Sequence, residues 1–450
     1  MKTFSMFRSA AVLLLFWYGL SLSAQNPFIR NQFTADPSAR VFGDRVYVFP
    51  SHDILANEER GRIGWFCMED YHVFSSTDLR AWTDHGMIVT QEKVPWVDAH
   101  SYSMWAPDCI ERNGRYYFYF PANKKDTTNG RGFTVGVAVA DRPEGPYTPE
   151  AASIPGVVGF DPNVFIDSDG QAYLYYSIGH LFGAKLKENM VELASDPVIL
   201  QKFPDVGLKE GPYLFERNGV YYMTYPHVEN KTERLEYATG KSPLGPFEYA
   251  GVIMDESPTG CWTNHHSIIR YQEQWYLFYH HNDYSPGFDK ARSVRVDSLF
   301  FEADGSIRKV TPTLRGVGIT PAREEIQVDR YSAVSVSGTS LRFLYPFDTF
   351  QGWVGHFEEA GSWMRYNRVD FGPASPASVV VKATGIAGGR FEIRTGDPDG
   401  EVLAEVVVPD GLSWHRIRAE LSDAPTGIED LVLVSVDGDP VDVDWIRFVD

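Results

Sequence analysis

Four residues able to do proton chemistry recur at one phase of an internal repeat. Asp36 (in Ala-Asp-Pro), Asp161 (Phe-Asp-Pro), Glu210 (Glu-Gly-Pro) and His265 (Asn-His-His) each stand 11 or 12 residues ahead of a tyrosine: Tyr47, Tyr173, Tyr222 and Tyr276. Ala106 of Trp-Ala-Pro-Asp holds the place ahead of Tyr117 in one further copy. Like charges at close range raise one another's pKa, and burial raises it further. One carboxyl group can then stay protonated as a general acid while another stays ionised, the pairing that cleavage of a glycosidic bond requires. Asp-Pro and Glu-Gly-Pro are also ordinary turn dipeptides, where the side chain bonds its own backbone. That reading serves any one of them, but serves poorly for three at the same phase.

The elements that must position these groups are read from the repeat itself. "RVFGDRVYVFPS", "CIERNGRYYFYFPA", "VFIDSDGQAYLYYS", "YLFERNGVYYMTYP" and "SIIRYQEQWYLFYHH" share a strand entrance, a polar turn and an aromatic-rich strand, the pattern of a hairpin. The five tyrosines fall 70, 56, 49 and 54 residues apart, room for one four-stranded sheet per interval. Outer-strand echoes such as "VAVADRPEGPYT" and "YATGKSPLGPFEYAG" lie between them. Radially repeated sheets of this size predict a β-propeller of five blades, in which equivalent positions at the start of the inner strands face one axis. The three carboxyl groups and the histidine would then meet in one pocket.

Composition agrees with an all-β chain of more than one domain. Aromatic residues make up 14% of the 450, and Gly and Pro recur often enough to imply short strands and many turns. With 41 Lys and Arg against 60 Asp and Glu the formal charge is −19, which repels nucleic acid and anionic membrane surfaces and favours a neutral partner. Residues 1–24 read as a signal peptide: Lys2 and Arg8, then the apolar run "AAVLLLFWYGL", then "SLSA" before Gln25. That apolar run is too short to span a bilayer. The expected location is periplasmic or secreted, without membrane insertion after cleavage. Cys67, Cys109 and Cys261 fit no disulfide framework or metal motif and read as buried free thiols.

"TADPSARVFGDRVYVF", "DPNVFIDSDGQAYLYY", "KEGPYLFERNGVYYMTY" and "TNHHSIIRYQEQWYLFYHH" resemble the blade motifs of glycoside hydrolase family 43. The resemblance covers about residues 30 to 318. "VFSSTDLRAWTDHG", "WAPDCIERNG", "AKLKENMVEL" and "RSVRVDSLFFEADGSI" place it nearest the branch of arabinoxylan arabinofuranohydrolases and β-xylosidases. It implies an inverting mechanism with Asp36 as general base, Asp161 as the residue that tunes and orients the acid, and Glu210 as general acid. His265 matches a histidine near a central Ca²⁺ or water-filled channel, so the resemblance extends to a Ca²⁺ held there through water. Arg292 matches an arginine that contacts substrate. Trp105, next to Ala106, can line a sugar platform or pack between blades, and Phe160 is a weaker candidate of the same kind. His266 stands where close relatives usually have proline and is left outside the site.

After "VTPTLRGVGITPAREEIQVDRYSA" the tyrosine-rich repeats stop. Short alternating strands such as "ASVVVKATG", "GRFEIRTG", "EVLAEVVVP" and "DLVLVSV" predict a β-sandwich of jelly-roll type. "GSWMRYNRVDFG" and "VDVDWIRFVD" resemble carbohydrate-binding module family 6. Asp442 stands where that family often has a binding asparagine, and Trp414 is expected in the core, so a structural sandwich and a working module both stay open. The expected division is a propeller over 26–318, a linker at 319–333 and a sandwich over 334–450. The resulting expectation is an enzyme removing arabinofuranosyl or xylosyl residues from a neutral plant polysaccharide or oligosaccharide such as arabinoxylan. A β-xylosidase and a non-catalytic glycan-binding propeller are the alternatives, with galactan or arabinan as lesser substrates.

Overall fold

A computed structural model describes residues 26–126, 128, 132–204, 206–345 and 353–450. The expected signal peptide lies outside these residues. Among those described, a single 3-10 turn, Gln91–Lys93, interrupts an otherwise all-β chain. The repeats fold as five consecutive antiparallel sheets, each built from neighbouring strands in chain order. The first runs through Phe33–Phe42, Arg45–Asp53, Asp70–Ser76 and Thr83–Thr90, the second through Asp108–Arg112, Arg115–Asn123, Phe133–Ala140 and Thr148–Pro149. The third comprises Phe160–Ile166, Ala172–Ser177, Leu181–Lys185 and Val198–Ile199, the fourth Tyr213–Arg217, Val220–Val228, Glu233–Gly240 and Phe247–Met254. The fifth has three strands, His266–Tyr271, Gln274–His281 and Ser293–Leu299, one fewer than the repeat predicts.

All five register tyrosines lie in the second strand of their sheet, opposite Arg40, Ile110, Phe165, Phe215 and Ile269 of the first strand. The Asn-Gly turns form as expected: Asn113 and Gly114 have φ of 54° and 75°, and Asn218 and Gly219 of 54° and 79°. Two left-handed residues in succession match the right-handed twist of the strands they join, and Gly supplies the second without steric cost.

Aromatic clusters lie between successive sheets. Phe49 and Tyr71 of the first pack with Phe118 and Phe120 of the second, and Tyr119 of the second with Leu174 and Tyr176 of the third. Tyr175 of the third meets Tyr225 and Phe247 of the fourth, and Tyr237 of the fourth meets Leu277 and Tyr279 of the fifth. A last cluster returns to the start, with Val46 and Val48 against Ile269, Phe278 and Val296. Each fully buried ring contributes about 1.5–3 kcal/mol, so the sequence's aromatic content is spent at sheet-to-sheet contacts.

The short fifth sheet is completed at its edge by residues 26–34. The Asn26 side chain pairs with Val296 as a strand backbone would, donating from Nδ2 to its carbonyl at 2.9 Å and accepting from its N–H at 2.8 Å. Phe28 N–H and Thr34 N–H then donate to the carbonyls of Val294 and Arg292 at 3.3 and 2.9 Å. An otherwise open strand edge is thereby covered.

The C-terminal part is two six-stranded sheets packed on one core that includes Phe357, Tyr366, Val381, Phe391, Leu431 and Phe448. The stretch expected to be a linker contributes to both. Thr320–Pro321 runs parallel to Trp363–Asp370, Ile326–Gln327 pairs with Val441–Val449, and Ala333–Val334 pairs with Trp363–Asp370. Its apolar residues, Ala322, Ile326 and Val328, belong to the sandwich core, which is why it does not behave as a connector. Trp414 also departs from expectation: it lies half-buried on the outer strand Gly411–Glu420, with Lys382 Nζ 5.3 Å above its ring, whereas Trp445 is 4% exposed. Asp442 is occupied by His356, whose Nδ1 lies 2.6 Å from its Oδ1.

Candidate active site

The repeat phase that carries Asp36, Asp161, Glu210 and His265 maps onto the entrance of each sheet's first strand. Asp36 and Asp161 sit inside bulged entrances, where pairing shifts between Ala35 and Ser38 and between Tyr175 and Ser177. Both take left-handed backbone conformations just ahead of proline, with φ of 49° and 56°. Such a conformation is costly for a residue other than Gly, and a bulge re-aims a side chain out of the regular pleat. Glu210 reaches the same geometry differently, through Gly211 at φ 52°.

Asp36 is 6% exposed and lies against Arg292. Arg292 Nη1 donates to its Oδ1 at 3.0 Å and Nη2 to its Oδ2 at 3.3 Å. The same guanidinium is clamped by Asp53, with Nε to Oδ2 at 2.9 Å and Nη2 to Oδ1 at 2.8 Å, and Nη1 reaches Thr263 Oγ1 at 3.2 Å. All five of its donors therefore meet protein oxygens. Arg292 also lines the cavity, where the resemblance implies a substrate contact, and its guanidinium holds Asp36. Ser51 Oγ donates to Asp36 Oδ2. The Asp36 N–H donates to His280 Nδ1 at 3.0 Å, so the His280 proton sits on Nε2, within 3.1 Å of the Thr263 carbonyl. Burial alone would push the Asp36 carboxyl up, but Arg292, with His280, His265 and Ser51 in support, holds it below the ordinary carboxylate range. Burial keeps both His265 and His280 below the usual imidazole range, so Arg292 is the cation that matters.

Asp161 and Glu210 are shifted the opposite way. Asp161 is raised well above the usual value by burial and by the charges of Glu210 and Asp36, against the N–H of Gly211 and the Ser177 hydroxyl. Its Oδ2 accepts from Gly211 N–H at 3.0 Å and from Ser177 Oγ at 3.4 Å. It thus grips the backbone one residue beyond Glu210. Glu210 is raised well above its usual value by burial first, then by Glu233 and Asp36, with Arg292 opposing. One ionised carboxylate facing carboxyl groups that favour their neutral form can serve as base and acid on opposite sides of a bound molecule.

Asp36, Asp161, Glu210, Trp105, Phe160, His265 and Arg292, the seven residues singled out from the sequence, line one cavity of about 140 Å³. Its remaining walls come from Trp65, Phe66, Met68, Ala106, Trp262 and Thr263. Trp105 and Phe160 stand edge to face, 5.9 Å between ring centres, and Phe66 stacks beneath the Arg292 guanidinium at 4.9 Å. His265 Nδ1 is 3.8 Å from Asp36 Oδ1. His266 is turned away, its Nε2 bonded to Thr224 Oγ1 at 2.6 Å.

A larger cavity of about 870 Å³ opens at the opposite ends of the same first strands, lined by Arg40, Glu111, Asp167, Tyr213, Glu216 and Trp275 among others. Its carboxylates are engaged in turns: Glu111 and Glu216 accept from the amides of Gly114 and Gly219, and Asp167 accepts from Tyr221. Among the described residues that line it, none form an opposed pair like Asp36 and Glu210. Sequence reasoning missed Trp65, Phe66, Trp262 and Thr263 of the walls, together with Ser51, Asp53, His280 and Glu233 behind them.

The fold and this site define a glycoside hydrolase, and comparison with known proteins gives the family. The family model "Glycosyl hydrolases family 43" matches residues 24–307 and "Carbohydrate binding module (family 6)" matches residues 348–450. The chain belongs to glycosyl hydrolases family 43. It is 37% identical to a xylosidase/arabinosidase 43A of Humicola insolens over 62% of this chain and 98% of that protein. Among solved structures, a family 43 β-xylosidase/α-arabinofuranosidase from a compost microbial metagenome, in complex with xylotriose, superposes with a TM-score of 0.56 at 32% identity, over 64% of this chain and 97% of that one. An arabinoxylan arabinofuranohydrolase from Bacillus subtilis, in complex with cellotetraose, has a TM-score of 0.53 at 25% identity and spans 95% of this chain and 98% of its own.

Proposed function

We propose that the five sheets are the blades of a closed five-bladed propeller, and that its axial cavity removes single arabinofuranosyl or xylosyl residues from plant cell-wall polysaccharide such as arabinoxylan. The observation that carries this reading is the placement of Asp36 against the Arg292 guanidinium and of Glu210 among other carboxyl groups, inside one aromatic-walled cavity. Asp36 is the general base that draws a proton from water, Glu210 the general acid that protonates the leaving oxygen, and Asp161 the residue that orients Glu210 through Gly211. A cavity of about 140 Å³ is small, well under the roughly 300–1,000 Å³ of sites that enclose a drug-sized ligand. It suits one terminal or branching sugar, with Trp105, Phe160, Trp65 and Trp262 as stacking faces. The arabinofuranose reading is favoured by the Bacillus subtilis relative, which aligns across both parts of the chain. The β-xylosidase reading is favoured by the Humicola insolens relative, whose name carries both activities. Turnover of nitrophenyl α-L-arabinofuranoside against nitrophenyl β-D-xyloside, followed by arabinose release from arabinoxylan, separates them. Absence of turnover on every glycoside would leave only the glycan-binding alternative.

The mechanism is inverting. Asp36 belongs to the first sheet and Glu210 leads into the fourth, so the fifth sheet alone separates them on one side of the ring. An inverting pair stands about 6.5–9.5 Å apart, leaving room for water, and a retaining pair about 5–5.5 Å. Proton NMR of a fresh reaction is expected to show the sugar released first in the anomeric configuration opposite to that of the substrate. A first product of retained configuration would make Asp36 a nucleophile.

Ca²⁺ at His265 is also a proposal, and the donor set restricts it. Asp36 is taken by Arg292 and Ser51. Asp108 accepts from Ser38, Arg40, Cys109, Asn163 and Val164. With those oxygens engaged, a hard cation would rely on water as its ligand, with His265 beside it. Chelator treatment is expected to lower the melting temperature or the activity, with recovery on added Ca²⁺. An unchanged protein would show that the channel holds no functional cation. We also place the mature protein in the periplasm or outside the cell, with cleavage after Ala24, which N-terminal sequencing of the secreted product tests.

A further inference from the structure

Glu233, which the mechanism above does not use, opens the third strand of the fourth sheet and is fully buried. It lies opposite Val228 across the strand pair, while Glu210 N–H approaches the carbonyl of Pro226, two residues back on that same partner strand, at 3.4 Å. The two backbones flank one strand, and their side chains meet beyond it, each carboxyl being a hydrogen-bond partner of the other. Glu233 N–H donates to the carbonyl of Trp262, a wall of the cavity, at 2.9 Å. Its Oε2 accepts from Asn264 N–H at 2.7 Å. Among the described residues its buried Oε1 meets no N–H or hydroxyl donor, and the remaining hydrogen-bond partner of the side chain is the Glu210 carboxyl. Two carboxylates cannot hydrogen-bond each other without a proton between them.

We propose that Glu233 is the positioning residue of the acid: its carboxylate accepts a hydrogen bond from the Glu210 carboxyl, so that the pair holds one proton and presents it from the Glu210 side. This rests on Glu210 being the general acid. The Asn264 amide, bonded to Glu233, places the proton on Glu210. Glu233 has the Asn264 amide to stabilise its ionised form, whereas among the described residues no backbone amide donates to the Glu210 side chain. Glu210 faces Glu233, Asp36 and Arg292, and Glu233 faces Glu210, Asp161 and Asp36. Arg292 is already shared between Asp36 and Asp53. On the adjoining strand His227 is turned to Glu236, its Nδ1 3.0 Å from Oε1. On the segment that carries Asn264, His265 and His266 are pushed below the usual imidazole range by burial. Burial and the neighbouring acids raise Glu233 as well as Glu210, as expected of a pair that must share one proton in a dry site.

In the reaction the Glu210 O–H bond breaks as its proton passes to the glycosidic oxygen, the C–O bond to the leaving group breaks, and water bonds to the anomeric carbon while Asp36 takes its proton. Glu233 exchanges no atom. Once Glu210 is ionised, the adjacent Glu233 charge favours its reprotonation and resets the acid.

The test is Glu233→Gln, which keeps the shape and removes the charge. The alkaline limb of kcat/KM on arabinoxylan or an alkyl glycoside is expected to move down by about one pH unit, read as an about tenfold loss above that limb. Little change is expected on a nitrophenyl glycoside. Glu233→Asp, which draws the carboxylate back by one methylene, should fall between. An even loss at all pH values on both substrates, with the limb unmoved, overturns the proposal and makes Glu233 a packing residue. Infrared difference spectra of the unmodified protein across pH keep the question open to measurement if the variants do not fold. They should show a carboxyl pair titrating in two separated steps, and a single step would overturn the pairing. That readout is independent of turnover, so a protein that hydrolysed no glycoside would refute the Glu210 assignment without deciding the pair.

Discussion

Glu210→Gln is expected to lose about 10²–10⁴-fold in kcat/KM on arabinoxylan, the size of effect that removing a general acid produces. On nitrophenyl glycosides the loss should be far smaller, because a leaving group of low pKa departs without protonation. The variant should fold normally, since an amide replaces a carboxyl group already held neutral by burial and by Glu233 and Asp36. A pH profile recorded alongside should lose its alkaline limb, because in the mechanism proposed above that limb reports Glu210 giving up its proton. Equal losses on both substrates, or a retained limb, would move the acid role to another residue, with Asp161 the first to examine. Its carboxyl is raised too, but its Oδ2 is committed to Gly211 N–H and Ser177.

The carboxyl ring was legible because a repeat fixes both sequence phase and spatial position. Counting back from Tyr47, Tyr173, Tyr222 and Tyr276 reached Asp36, Asp161, Glu210 and His265, all of which line one cavity. Counting forward four residues from the same tyrosines would have found the second ring. Ser51 donates to Asp36, Ser177 to Asp161, Pro226 lies against Glu210 and Gly211, and His280 receives the Asp36 amide. These residues face the carboxyl groups because the second strand is registered on the first, as in Ala35 opposite Ser51 and Phe160 opposite Ser177. Trp65, Phe66 and Glu233 were not legible in this way. The first two come from the long connection between the second and third strands of the first sheet, whose length no other repeat shares. Glu233 enters from a third strand, where the repeat signal is weaker. In the sandwich, Trp414 and Trp445 both sit in alternating strands, and alternation alone does not say which face is inside.

Replacing Arg292 by Met should move the acidic limb of the rate profile upward and weaken the fold in the same experiment. Burial pushes Asp36 up and Arg292 overrides it. An opposite charge at this range lowers a carboxyl pKa by about 1–3 units, so its removal should raise the Asp36 pKa by a comparable amount. The base must be ionised to draw a proton from water. A higher pKa therefore protonates it at pH values where the unmodified enzyme is active, and activity on every substrate falls from the acidic side while the alkaline limb stays. This separates the variant from Glu210→Gln, which acts on the alkaline side and spares good leaving groups. Stability should drop as well. Asp36 and Asp53 are 6% and 2% exposed, and both would lose their cation. Breaking a buried pair by removing one partner costs about 3–5 kcal/mol, because the stranded charge has no water to return to. Arg292→Lys retains a charge without the planar fork that reaches Asp36, Asp53 and Thr263 together. It should recover part of the stability and leave the acidic limb between the two. If Arg292→Met kept both its acidic limb and its melting temperature, Asp36 would not depend on this guanidinium, and its ionisation would have to come from Ser51 and the neighbouring imidazoles.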